Sequence, residues 1–230
     1  MNTFFEKLKK ELFHVFFPHR CMLCGNFTPP NVDPCPHCLD NLPKTDFKNT
    51  SPYSNKTNKK QRFYFSSVAA PFYYTNQIKK GIRRIKFQSK IDGCKFFGDS
   101  IGMLIKHAPG YSNFDFITFV PSSQKRFANR GFNQAQEMAQ HLCIYLGHSK
   151  MVNTLVKIKD TRPLYDMNQR ERINCVSGSF AVDDPTVVKN KEILLIDDVF
   201  TTGATLNECS KILISAGASK IICACAARKQ

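Results

Sequence analysis

Tryptophan is absent from these 230 residues. No apolar run reaches the length of about 18 residues that a membrane-spanning helix needs, which excludes an integral membrane protein of that kind. The 11 glycines follow no period, so a collagen-like chain is excluded. No internal repeat is found. A G-x-x-x-x-G-K-S/T run is missing, so ATP hydrolysis through a P-loop is not suggested. Acid is scarce: 18 Asp+Glu against 33 Lys+Arg leave a net charge of +15. Between Phe47 and Ile91 there are 11 Lys/Arg and no acid at all. Such a balance points to acidic partners: nucleic acid, phosphorylated small molecules or anionic lipid. A hydrophobic content of 42% argues against a disordered chain. The length suits one good-sized domain with a small appendage, large enough to bury roughly 70% of its unfolded surface.

The first residues, MNTFFEKLKKELFHVFFP, place Phe4, Phe5, Leu8, Leu12 and Phe16 among Lys7, Lys9, Lys10 and Glu11. This is one face of an amphipathic helix over residues 1–17, not a signal-peptide core. The helix either docks on its own protein or lies on a membrane surface, which would put the chain at the inner face of the membrane. The expected compartment is the cytoplasm. The ten cysteines are then expected to be reduced or metal-bound.

Four cysteines form two close pairs, Cys21/Cys24 and Cys35/Cys38, in the pattern C-x2-C-x10-C-x2-C. Two residues between thiolates let one tight turn present both sulfurs to a tetrahedral Zn²⁺. Gly25 follows Cys24, where such a turn needs a positive φ. Four thiolates close the coordination sphere, so a structural zinc module over 18–42 is expected. The other six, Cys94, Cys143, Cys175, Cys209, Cys223 and Cys225, share no ligand spacing. Buried free thiols are the expectation for those in apolar contexts.

Residues 43–62 read as a polar connector, and 63–230 as the main domain. FYFSSVAAPFYYT supplies one or two strands. Ile78, Ile82 and Ile85 recur at helical spacing, surrounded by Lys79, Lys80, Arg83, Arg84 and Lys86. Another helix is expected near 96–106. Strands at 116–120, 152–158, 192–196 and 220–227 alternate with helices at 131–146 and 204–216. That alternation predicts an α/β fold whose mostly parallel sheet is flanked by helices.

The most informative segment is ILLIDDVFTTGAT. A buried strand runs into Asp197 and Asp198, then into Thr201, Thr202, Gly203, Ala204 and Thr205, which open a helix. Ligands of open α/β sheets bind beyond the carboxyl ends of the strands. A helix N-terminus with hydroxyls suits a phosphate. The acids suit sugar hydroxyls or Mg²⁺. Together they indicate a phosphorylated ribose.

This run resembles the phosphoribosyl-pyrophosphate (PRPP) loop of type I phosphoribosyltransferases. By that resemblance, Asp197 and Asp198 would contact the ribose hydroxyls, Thr201–Thr205 would cradle the 5′-phosphate, and Mg²⁺ would bind the pyrophosphate. A second segment, FVPSSQKRFANRGFNQAQEMA, is similar to the signature of the ComF family of competence-related proteins. Its core here is Arg130-Gly131-Phe132-Asn133-Gln134-Ala135. Ser122, Ser123, Lys125 and Arg126 follow a strand end, where they could meet the pyrophosphate. The family also carries the four-cysteine module. Between 160 and 180, Glu171-Arg172 and Val176-Ser177-Gly178-Ser179-Phe180 fit the family pattern. Leu164, Met167 and Cys175 stand where it has Gln, Leu and Asn, a departure that bears on turnover more than on binding.

Two functions are implied. In the first, a ComF-type protein binds PRPP and handles single-stranded DNA during natural transformation, with competence proteins such as a DNA-uptake helicase as partners. Lys79, Lys80, Arg83, Arg84, Arg126 and Arg130 are its expected DNA contacts. In the second, the chain is an active phosphoribosyltransferase acting on a nitrogen nucleophile. Asp197, Asp198, Lys125 and Arg126 would then carry catalysis by positioning and by stabilising the departing pyrophosphate.

Overall fold

The computed structural model describes residues 19–29, 32–45, 63–88, 91–111, 113–147, 150–162 and 167–229. The expected helix over 1–17, the connector from 46 to 62 and Leu164 lie outside the described residues.

The chain enters through the cysteine loops and a short helix α1 (Pro36–Asp40). Two brief strands follow, β1 (Val68–Ala69) and β2 (Phe72–Tyr73). Helices α2 (Asn76–Gln88) and α3 (Asp92–Lys106) come next. The triad Ile78, Ile82 and Ile85 is buried, as its spacing requires. Strand β3 (Phe116–Phe119) leads to α4 (Gln124–Arg130) and α5 (Gln134–Leu146). A hood of β4 (Leu155–Lys157), α6 (Gln169–Val176), β5 (Phe180–Val182) and α7 (Pro185–Val188) follows. The chain closes with β6 (Glu192–Phe200), α8 (Ala204–Ser215) and β7 (Lys220–Arg228).

The main sheet is wholly parallel. Strand β7 is flanked by β6 and by β1 and β2, and β6 is flanked by β3. Its side chains alternate between two cores, as the strand period of two demands. Ile117, Leu194, Ile196, Ile222 and Ala224 face the helices α2, α3 and α5. Phe116, Ile193, Leu195, Ile221 and Cys223 face α8 and the hood. The helices that follow β3 and β6 thus cover opposite faces. A crevice opens between the carboxyl ends of these two neighbouring strands.

Three elements differ in detail from the sequence expectation. Strand β6 continues through the acid pair, with Asp197 opposite Cys225 and Phe200 opposite Arg228. The segment near 152–158 meets the main sheet through a bridge between Ile117 and Met151 and a hydroxyl–hydroxyl bond of 2.9 Å between Thr118 and Thr154, and β4 then pairs antiparallel with β5 in a separate ribbon. The basic segment after Val120, where the sequence pattern gave no helix before residue 131, forms helix α4. Ser123 caps its start, and Gly131 ends it at φ +79. Among the described residues, no helix is long and apolar enough to cross a membrane.

Candidate functional site

The crevice is walled by the end of β6. Asp197 Oδ1 accepts the Asp198 N–H at 2.8 Å. Burial first, and the neighbouring Asp198 charge second, push the Asp197 carboxyl up to about 7. Asp198 is ion-paired with Lys86, near the carboxyl end of α2. The loop beyond turns tightly. Gly203 sits at φ +73, and a Cβ there would meet the Phe200 ring at 2.7 Å. Only glycine combines that backbone with that clearance. Thr202 Oγ1 accepts the Ala204 N–H at 3.5 Å, and Ala204 opens α8. Thr201, Thr202 and Thr205 are half-buried around this turn.

Two cations that sequence reasoning did not assign to the site belong to it. Lys86 is one. The other is Arg172 of α6, whose Nη1 donates to Thr201 Oγ1 at 2.7 Å while its Nε donates to the Met167 carbonyl at 2.9 Å. The family-like Glu171-Arg172 pair was the signal for the second. Glu171 itself is spent on a capping box with Asn168 that starts α6.

The β3 side of the crevice is held by Asn133. Its Nδ2 donates to the Val120 carbonyl at 2.9 Å, and its Oδ1 accepts the Ala135 N–H at 3.1 Å. Ser123 is buried and caps α4, and Ser122 is half-buried ahead of it. Lys125 is exposed on α4. Arg126 turns toward the hood and donates to the Thr161 carbonyl at 3.1 Å. Arg130 donates to Gln134 Oε1 at 3.1 Å and lies close enough to Asp198 to feel its charge. An open hollow of about 570 Å³ along α6 is lined by Arg162, Met167, Glu171, Asn174 and Cys175.

Against another face of α2, at Gly81 and Arg84, sits the cysteine module. The four sulfurs of Cys21, Cys24, Cys35 and Cys38 lie within 4.8 Å of one another. Cys24 Sγ and Cys35 Sγ are 3.8 Å apart. Thiolates at about 2.3 Å from a tetrahedral Zn²⁺ stand at about this separation, so the residues fit the metal. The Asn26 N–H points at Cys24 Sγ and the Cys35 N–H at Cys21 Sγ, both at 3.4 Å, and Gly25 has φ +88. The module shares the main core. Met22 and Leu23 are buried against α2 and α3, where Gly81 and Gly93 make room for them. Arg84 fastens the contact, with Nη1 donating to the carbonyls of Cys21 at 2.9 Å and Met22 at 2.7 Å. Of the four α2 cations named for DNA, Lys79, Lys80 and Arg83 are exposed, whereas Arg84 is half-buried in this strut. Cys94, Cys209, Cys223 and Cys225 are buried outside the cluster, and burial raises each thiol pKa.

The comparisons with known proteins follow this geometry. The phosphoribosyl transferase domain family matches residues 128–230. The chain is 32% identical over 156 residues to competence protein ComFC of Streptococcus pneumoniae, covering 67% of this chain and 65% of that protein. It thus spans slightly less than two thirds of that relative's length. The chain belongs to the ComF family. This ComF chain is also 25% identical over 211 residues to the DNA utilization protein YhgH of Escherichia coli, covering 90% of this chain and 89% of that protein. Among solved structures, the glutamine phosphoribosylpyrophosphate amidotransferase of B. subtilis overlaps 56% of this chain and 25% of its own, at 18% identity and a TM-score of 0.39. No residue is carried over from so partial an overlap. The phosphoribosyl transferase match starts within α4, so it includes the acid pair and the threonine turn of this ComF chain. Lys86 and the cysteine module lie ahead of it.

Proposed function

We propose that this ComF protein binds PRPP with Mg²⁺ in the crevice between β3 and β6, and handles single-stranded DNA in a competence-related role. The observation that carries the first part is the acid pair followed by the Thr201–Thr205 turn at the switch point of the sheet. Carboxylates there accept from vicinal hydroxyls, and the turn and the start of α8 offer N–H groups and hydroxyls to a phosphate. Lys86 and Arg172 supply the positive charge that a pyrophosphate needs. Mg²⁺ would neutralise the pyrophosphate, and Asp197 and Asp198 are the acids nearest to hold it. In the module, Cys21, Cys24, Cys35 and Cys38 would hold a structural Zn²⁺. The names of the relatives, one a competence protein and one a DNA utilization protein, support the DNA part. So does the exposed cationic face of α2.

Phosphoribosyl transfer to a nitrogen nucleophile is the second reading. The match of residues 128–230 to the phosphoribosyl transferase domain family supports it. Release of pyrophosphate across a panel of acceptors tests this reading, set against salt-dependent binding to single strands.

Calorimetric titration of PRPP with Mg²⁺ tests the principal reading. Asp198→Asn keeps the shape and removes a charged acceptor, which costs roughly 1.5–3 kcal/mol, or about tenfold or more in affinity. Equal affinities for the wild type, Asp198→Asn and Asp197→Asn would show the acid pair to be misread.

A further inference from the structure

We propose that Phe87, whose ring lies against Arg130, and Phe127, one helical turn before Arg130, form a stacking platform for unpaired bases of single-stranded DNA at the lip of the crevice. The inference rests on the DNA part of the proposed function and names the surface that would serve it. Phe87 is 70% exposed and Phe127 49% exposed. A single exposed apolar side chain needs no explanation. These two differ in where they stand and in what surrounds them. Phe87 directly follows Lys86, whose ammonium pairs with Asp198. One residue of α2 therefore points into the crevice and the next points out of it. The guanidinium carbon of Arg130 lies 5.6 Å from the centre of the Phe87 ring. Phe127 is one turn before Arg130 on α4, on the same helical face. Gln134 holds Arg130 in place through the bond described above.

The surroundings select the partner. Lys79, Arg83 and Phe87 recur every four residues, so they form one stripe along α2: cation, cation, ring. Lys79, Arg83 and Phe87 are all exposed, and α2 contains no acid. A protein partner matched to a bare apolar patch would not need that row of charge. A single strand needs both parts. Its phosphates follow the cations, and its bases stack on aromatic faces and guanidinium planes without regard to sequence. Duplex DNA hides those faces, so the platform would favour single strands.

Fluorescence anisotropy separates the components. The probes are an oligothymidylate and an abasic oligonucleotide with the same number of phosphates. The wild type is expected to prefer the oligothymidylate. Phe87→Ala is expected to bind it roughly five- to hundred-fold more weakly, the range for one lost stacking contact. Its affinity for the abasic strand and its salt slope should stay at wild-type values, because no charge is removed. Phe127→Ala should behave alike, and Phe87→Trp should retain binding. Both rings are solvent-facing, and thermal melting checks that the variants stay folded. Equal binding of both probes by the wild type would overturn the platform and leave a purely electrostatic surface, or one for an acidic protein. A wild-type preference that Phe87→Ala and Phe127→Ala both keep would place the base contacts elsewhere and likewise overturn it. No binding of either probe would refute the DNA part of the proposed function itself.

Discussion

Replacing Arg84 with alanine tests how the fold divides its basic helix. The side chain donates to two carbonyls of the first cysteine loop, those of Cys21 and Met22. The Cys21 carbonyl also accepts the Gly25 N–H at 2.9 Å, so it stays paired in the variant. The Met22 carbonyl loses its guanidinium partner beside a buried side chain. Hydrogen bonds from a charged donor contribute about 1.5–3 kcal/mol each, and partial exposure puts both near the lower end. A total of about 2–4 kcal/mol is therefore expected. For a chain of this size that lowers Tm by roughly 5–15 °C. The module should also yield its zinc faster to a competing chelator, since the clamp on its first loop is gone. Salt-dependent DNA binding should keep its slope, because Arg84 is spent inside the protein. The triple variant Lys79→Ala, Lys80→Ala, Arg83→Ala should do the reverse. It should keep Tm and flatten the slope by about 0.7 for each lost phosphate contact. The assays are differential scanning fluorimetry, chelator-coupled zinc release and anisotropy at several salt concentrations. An unchanged Tm and zinc-release rate in Arg84→Ala, with a flattened salt slope, would refute the division.

Cys35→Ser should lose the metal on elemental analysis. It should also lower the stability of the main domain, because Met22 and Leu23 would no longer be held in the notches at Gly81 and Gly93; a wild-type zinc content would count against the four-thiolate site. Asp197 should make PRPP binding pH-dependent: its folded carboxyl at about 7 lies above the ordinary carboxylate range, so the fold retains a proton that the unfolded chain has released. Stability from this group is therefore fully present below that ordinary range and lost as pH rises through about 7, whereas affinity for Mg²⁺ and PRPP, which need the carboxylate, should increase over the same rise. Asp197→Asn should flatten both profiles in melting and calorimetry, and profiles unchanged by the substitution would assign the titration to another group.

The architecture was legible because strands buried on both faces write themselves as short apolar runs. ILLI and KIICACAA could only sit inside a covered sheet. The strand end with its acid pair and threonine turn was legible because its residues are contiguous, from Asp197 to Thr205. The paired cysteines were legible for the same reason. What stayed hidden depends on contacts distant in sequence. Lys86 meets Asp198 across 112 positions, and nothing local separates it from its basic neighbours. Arg172 reaches Thr201 only because α6 folds over the end of β6. Helix α4 was missed although Ser123 and Gly131 mark its ends, because its content, QKRFANR, reads as polar and basic rather than amphipathic.

Helix α2 shows why a charge run resists reading from sequence. Residues 83–87 take four successive steps around the helix, about 100° each, so Arg83 and Phe87 share an outer face while the three residues between them point elsewhere. Arg83 meets solvent, Arg84 meets the cysteine loop, Ile85 enters the core, Lys86 meets Asp198 and Phe87 turns outward. In sequence the stretch is a uniform basic strip without one acid. In the fold it is a beam that ties the cysteine module to the acid pair. Gly81 and Arg84 fix its contact with the module, and that contact sets where Lys86 arrives. The charge that matters to the crevice is therefore positioned by the apolar and backbone contacts of the residues around it.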